Sequence, residues 1–278
     1  MTGWIGQPGS AGEWNGGVAT QRATCVLAPN PGPMTLDGTN TWLIAEPGSG
    51  RVGIIDPGPD DPAHWEQVKA VVDRLDLRID TILLTHGHHD HSAGARLFAS
   101  HAGCSVRALD PAHRLGSEGL ADGEVVEIGG AEIRIVATPG HSGDSLSMLL
   151  VGDRAILTGD TILGRGTTVV AYPDGRLADY LDSLARLEVL VAEFQLTSIL
   201  PGHGPTLDDP TAVIEAYIAH RQERLEQIRT ALASLDVAVQ DRPALAQTLV
   251  ETVYADVPKV VWPAALVSVY AQLEYLLG

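Results

Sequence analysis

Apolar residues follow two rhythms along the chain. Up to about residue 200 they come in short runs broken by Gly and Pro; after residue 210 they recur at helical spacing. Runs at 24–28, 41–46 and 52–56 are apolar or β-branched and predict strands. Asp61-Pro62 then predicts a helix start, with Trp65, Val68, Val72 and Leu75 on one stripe. A fully apolar run at 79–84 predicts a strand that feeds a His-rich loop at 86–91, followed by a helix over 92–101 and a strand over 105–109. A second strand-rich block spans 124–158, with runs at 132–137, 146–151 and 155–158 and a two-residue hairpin turn at Gly152-Asp153. A helix over 177–191 and a strand over 198–200 follow, and helices over 211–234, 243–255 and 262–277 complete the chain. In the last helix Trp262, Leu266, Val269, Tyr270, Leu273 and Leu276 form one apolar stripe.

These patterns divide the chain into three parts. Residues 1–22 are Gly-rich and aperiodic and read as a loose N-terminal extension, with Trp4 and Trp14 able to dock on the folded part. Residues 23–210 form the strand-rich domain, and 211–278 form a helical appendage. With 278 residues and a 45% hydrophobic share, the chain can bury a large core without staples. No uninterrupted apolar run approaches membrane-spanning length, and residues 1–22 lack the layout of a secretory signal.

Charge narrows the partners. Eighteen basic against 35 acidic residues give a net charge of −17, a poor field for nucleic acid or an anionic membrane. Residues 211–278 carry 5 basic and 8 acidic side chains, again net acidic. Cys25 and Cys104 are too few for a disulfide framework and read as buried free thiols, consistent with the cytoplasm.

The chemistry concentrates in His86-Gly-His88-His-Asp90-His91, directly after an apolar strand. Strand ends expose side chains from a rigid root. His141 in Thr-Pro-Gly-His, Asp160 in Thr-Gly-Asp and His203 in Pro-Gly-His also follow predicted strands, each beside Gly. Five imidazoles and two carboxylates are too many for one tetrahedral zinc, but they suit two adjacent metals with positions left for water and substrate. Nitrogen and oxygen donors without thiolate favour Zn²⁺ and also accept Mn²⁺ or Fe²⁺. His89 reads as a spacer, and His64, His101, His113 and His220 as ordinary surface or core histidines.

At these residues the sequence resembles the metallo-β-lactamase-fold hydrolases, whose metal framework runs H-x-H-x-D-H, His, Asp, His. The stretches 30–43 and 159–168, and Pro201-Gly-His-Gly-Pro205 with the later His220-Arg221, are similar to the β-lactamase-like protein 2 group. The resemblance implies an α/β fold, a four-layer αββα sandwich with a winged-helix-like C-terminal region. With the chain ending at Gly278, the wing is expected to be short or missing. It also implies that His86, His88 and His141 hold one metal, that Asp90, His91 and His203 hold the other, and that Asp160 bridges them. Asp90 would also orient the attacking water and accept its proton. Asp56 resembles a position that supports the His loop by hydrogen bonds, with plain turn capping as the alternative. Asn40 and Arg165 are candidate substrate contacts, with a turn residue and a solvated loop arginine as the respective alternatives.

An enzyme that hydrolyses a small ester or thioester is the favoured expectation, with single-stranded RNA as the alternative substrate. Lactam hydrolysis is less favoured, because a Cys common at the Asp160 position in one β-lactamase subclass is absent. A non-catalytic metal-binding module is disfavoured because every ligand position is filled. A homo-oligomer is compatible with the sequence.

Overall fold

The computed structural model describes residues 14–234, 241–255 and 258–278. Two six-stranded mixed sheets lie at its centre. The first runs in sequence order through β1 (Gly17–Val18), β2 (Ala23–Leu27), β3 (Asn40–Ile44), β4 (Arg51–Ile55), β5 (Arg78–Leu83) and β6 (Ser105–Arg107). The second runs through β7 (Val125–Ile128), β8 (Ala131–Ala137), β9 (Leu146–Leu150), β10 (Ala155–Gly159), β11 (Ser198–Pro201) and β12 (Leu207–Asp208). Neighbours are antiparallel except β4–β5, β5–β6 and β10–β11. Each parallel step needs a crossover, and helices supply it. These are α1 (Pro62–Arg74), then α2 (His89–Ser92) with α3 (Ala95–Ala102), and α4 (Leu177–Phe194).

Hydrophobic burial separates the four layers. Trp42, Ile44, Ile55 and Leu83 from the first sheet meet Ile128, Ile133, Met148 and Leu157 from the second. The outer face of the first sheet (Val52, Ile54, Ile82) is covered by Trp65, Val68 and Val72 of α1 and Phe98 of α3. The outer face of the second (Leu149, Ile156, Ile199) is covered by Tyr180, Leu184 and Leu187 of α4. Ile214 and Tyr217 of α5 (Pro210–Ser234) join that layer. α5 then continues into a separate core with α6 (Arg242–Val253) and α7 (Trp262–Leu277), built on Ile228, Leu245, Leu249, Val269 and Leu273. Among the described residues this helical region contains no hairpin. The stretch Lys259–Leu277 is long and apolar enough to cross a membrane by length and composition alone, while Ala265, Val269 and Leu273 on it are buried within the protein.

Several expectations change. Residues 1–13 and Trp4 lie outside the described residues, but 14–22 is not a loose extension. β1 pairs with β2, and Trp14 Nε1 donates to Asn40 Oδ1 at 2.7 Å. The segment 86–91 is not all loop: Ser92 N donates to the His88 carbonyl, so helix begins at His89 and breaks before Ala95, where Gly94 N donates to Gly58 O. Leu75 is the C-cap of α1 and is 50% exposed, so the buried stripe ends at Val72. Gly152-Asp153 is no two-residue turn. Leu150 pairs with Ala155, and 151–153 is a 3₁₀ turn whose Asp153 is clasped by Arg22 and Thr20. Cys25 is buried, while Cys104 is only half-buried.

Candidate metal centre

β4, β5, β8, β10 and β11 end at one edge of the sandwich, and each delivers one part of the site: Asp56, residues 86–91, His141, Asp160 and His203 respectively. The two sheets are tied together at this edge. Leu146 N donates to Thr85 O at 2.8 Å, Asn40 N to Gly202 O at 2.8 Å, and Trp42 Nε1 to Pro201 O at 3.1 Å.

The seven candidate ligands converge. The donors of His86, His88 and His141 form one group and those of Asp90, His91 and His203 another, with the atoms in each group within 4.8 Å of one another. His88 Nδ1 lies 3.0 Å from His86 Nε2 and 2.9 Å from His141 Nε2. His203 Nε2 lies 3.2 Å from His91 Nε2 and 3.1 Å from Asp90 Oδ2. Asp160 sits between the groups: its Oδ2 is 3.7 Å from His141 Nε2 and 3.4 Å from His203 Nε2, and its Oδ1 is 3.4 Å from His91 Nε2.

The outer hydrogen bonds settle which nitrogen faces inward. His141 Nδ1 lies 2.8 Å from the Val169 carbonyl, His203 Nδ1 3.1 Å from the Gly38 carbonyl, and His91 Nδ1 2.9 Å from Asp56 Oδ2. These partners only accept, so each Nδ1 carries a proton and each Nε2 faces inward, where it can bind a cation once any proton on it is displaced. His86 obeys the same logic at one remove. Thr85 Oγ1 donates to Asp56 Oδ2 at 2.6 Å, leaving it to accept from His86 Nδ1 at 3.0 Å. The inward nitrogens lie about 3 Å apart, a spacing that matches adjacent donors around a small dication. Asp160 Oδ1 is buried with no hydrogen-bond partner among the described residues, as a metal-binding oxygen would be. The residues present therefore fit metal ions.

Burial and charge in the metal-free site agree. Burial pushes His86 well below the usual imidazole range, reinforced by His91. Burial also opposes charge on His91 and His203, but Asp160 outweighs it, helped by Asp56 at His91 and by Asp90 at His203. His91 is raised well above its ordinary value and His203 to about 9. Burial works against the Asp90 carboxylate too, yet His203 brings it down to about 2. Cations thus need to displace protons already held by the two carboxylates' neighbours.

Backbone approach constrains the site as well. A Cβ on Gly202 would lie 2.6 Å from Asp160 Oδ1 and 2.8 Å from His91 Cε1, and one on Gly87 would lie 2.3 Å from His113 Nε2. Asp56 adopts φ 54°, a left-handed conformation that Asp tolerates.

The other predicted site residues separate. Asn40 is fully buried, and its Nδ2 donates to Pro201 O at 2.9 Å and Gly204 O at 2.8 Å while its Oδ1 accepts from Trp14. It braces the His203 turn and is sealed from a substrate, which is the turn alternative and not the substrate contact. Arg165 lines a cavity of ≈ 300 Å³ that runs from His141 and Asp160 to α5 and α7, and it pairs with Asp37 at 2.6 Å. Sequence reasoning missed Thr85, although its place directly before His86 marks it as a strand-end hydroxyl within reach. It also missed the carbonyls of Gly38 and Val169, which carry no sequence signal, and the cavity arginines Arg221 and Arg224.

An αββα sandwich with five inward imidazoles and two carboxylates at one edge defines a metal-dependent hydrolase scaffold. The chain belongs to the metallo-beta-lactamase superfamily, whose family model matches residues 34–203, and the beta-lactamase associated winged helix domain matches residues 246–277. A Beta-lactamase-like protein 2 homolog of Drosophila melanogaster is 35% identical over 90% of this chain and 86% of its own length. The Atrochrysone carboxyl ACP thioesterase of Aspergillus fumigatus is 33% identical over 87% of this chain and 76% of its own. A beta-lactamase domain protein from Burkholderia ambifaria, 21% identical, shares the fold with a TM-score of 0.79 over 99% of this chain and 91% of its own.

Proposed function

We propose that this hydrolase uses a two-metal centre to cleave a thioester or ester of a small acyl group. The observation that carries the reading is the pair of inward-facing donor groups, His86/His88/His141 and Asp90/His91/His203, with Asp160 between them. The first three would hold one ion and the second three the other, with Asp160 shared. The donor set suits Zn²⁺, with Mn²⁺ or Fe²⁺ as substitutes. Bound ions would supply Lewis acidity and bring the pKa of a water down to about 7.

The chain's own residues do the rest. Asp90 is the more exposed of the two carboxylates, at 31% against 11% for Asp160. Its Oδ2 faces His203, which leaves Oδ1 to orient the attacking water and take its proton. His88, 42% exposed, marks the side open to solvent and to an entering substrate. Asp56 fixes His91 directly and His86 through Thr85, so two ligands keep one orientation.

A small acyl substrate is supported by the apolar cavity beside His141 and Asp160, and by the thioesterase named among the relatives. The net charge of −17 weighs against single-stranded RNA. The test is to assay metal-loaded wild type and Asp90→Asn side by side on an acyl thioester, a labelled single-stranded RNA and a chromogenic cephalosporin. Thioester turnover that is lost in the variant supports the proposal. RNA cleavage without thioester turnover refutes it.

A further inference from the structure

The cavity beside the metal ligands contains a buried charge that the chemistry above does not use. Arg221, on the inner face of α5, is only 7% exposed. Its guanidinium lies 4.8 Å from the centre of the Tyr180 ring, and its Nη2 donates to the Thr168 carbonyl. Among the described residues it pairs with no carboxylate, and its buried Nε–H has no acceptor. A desolvated cation without a counter-ion is costly, so a residue of this kind marks a place where an anion is to be received.

The surroundings define that anion's carrier. The cavity also takes in Arg224 with Met34, Leu36, Leu163, Val169 and Val261, and among the described residues its single acidic lining residue is Asp160, at the metal end. Arg165 on the same wall is already neutralised by Asp37. An apolar space of ≈ 300 Å³ with two buried guanidiniums, Arg224 held by Gln227 and the Val253 carbonyl and Arg221 paired with no carboxylate among the described residues, fits a short hydrocarbon body ending in one planar anion. It does not fit a polyanion, whose phosphates need a row of exposed cations. An amide-rich leaving group would lose its hydrogen bonds there.

We propose that the cavity is an acyl subsite: it holds the apolar chain of the acyl group, and Arg221 pairs with a carboxylate at the end of that chain distant from the scissile bond. The preferred substrates are thus ω-carboxyacyl thioesters rather than neutral ones. The proposal rests on the thioester reading only for the bond that is cut.

Two measurements test it. In the first, metal-free protein is titrated calorimetrically with octanoate and octanamide. Octanoate should bind the more tightly, and Arg221→Gln should weaken it by about 10- to 100-fold, with octanamide unaffected and Arg221→Lys restoring part of the loss. In the second, metal-loaded enzyme is given 7-carboxyheptanoyl and octanoyl thioesters of the same thiol. Wild type should favour the carboxylated substrate by a similar factor in kcat/KM, and Arg221→Gln should bring the ratio close to one. A ratio cancels any general loss of folded enzyme in the variant. Equal octanoate binding by wild type and Arg221→Gln, or a ratio unmoved by the substitution, overturns the subsite. If no thioester is turned over at all, the functional reading fails, and the calorimetric arm still decides the role of Arg221.

Discussion

Asp56 Oδ2 lies 2.9 Å from His91 Nδ1, and both side chains are sealed from solvent, at 1% and 0% exposure. The same oxygen accepts from Thr85 Oγ1, whose own acceptor site faces His86. One carboxylate therefore holds a ligand from each of the two donor groups. Replacing it by an amide of the same shape removes the charge and turns one oxygen into a donor. Asp56→Asn should keep its secondary structure and lose about 10- to 100-fold in metal affinity, measured by competition with a chromogenic chelator. Unchanged affinity would reduce Asp56 to a turn residue.

Asn40 makes a different kind of prediction, because its buried amide serves the carbonyls of Pro201 and Gly204. Asn40→Ala leaves the Gly204 carbonyl without a donor and the Pro201 carbonyl with Trp42 Nε1 alone, and should destabilise the protein by about 1–3 kcal/mol in urea unfolding. A raised KM with unchanged stability would instead restore Asn40 as a substrate contact.

Gly202 limits how closely β11 can approach the site. Gly202→Ala drives a methyl group into Asp160 and His91 and should lower kcat/KM by about a hundredfold. Gly143→Ala is the control, since its Cβ would meet nothing nearer than Asp174 Oδ1 at 3.6 Å. Equal activity in the two variants would contradict the close approach.

A pH effect follows from His64, which is fully buried and shares a 2.8 Å hydrogen bond with Thr41 Oγ1. Burial brings it down to about 4 from an ordinary value of 6.5. The unfolded chain then binds the proton more readily than the native state. The stability contributed by neutral His64 is complete above pH 6.5 and is lost as pH falls towards 4. The loss is at most about 3 kcal/mol. The stability gap between wild type and His64→Gln, read from urea midpoints, should narrow between pH 7 and pH 4.5. A constant gap would contradict a neutral buried imidazole.

Much of this was legible in the sequence because strands and ligands share one code. An apolar run followed by His, Asp or Gly places a side chain at a strand end, which is how 86–91, His141, Asp160 and His203 stand out. The helix start at Asp61-Pro62 was legible for a similar reason, since Asp61 Oδ1 accepts from Ala63 N at 2.8 Å. Long-range partners were not legible. Asp153 looked like a hairpin residue until Arg22 and Thr20 captured it. Asn40 looked like a loop contact until the turn after β11 folded over it. Arg221 sits in an ordinary helical pattern, and only the packing of α5 against Tyr180 takes it out of water.

The most direct test of a two-metal centre is the metal-to-protein ratio of the purified, metal-saturated chain, measured by plasma mass spectrometry on wild type and His88→Ala. The two donor groups predict two ions per chain in wild type and a fall towards one in the variant, which keeps the Asp90, His91 and His203 group intact. A single ion in wild type, or a ratio that does not change when His88 is removed, would contradict it.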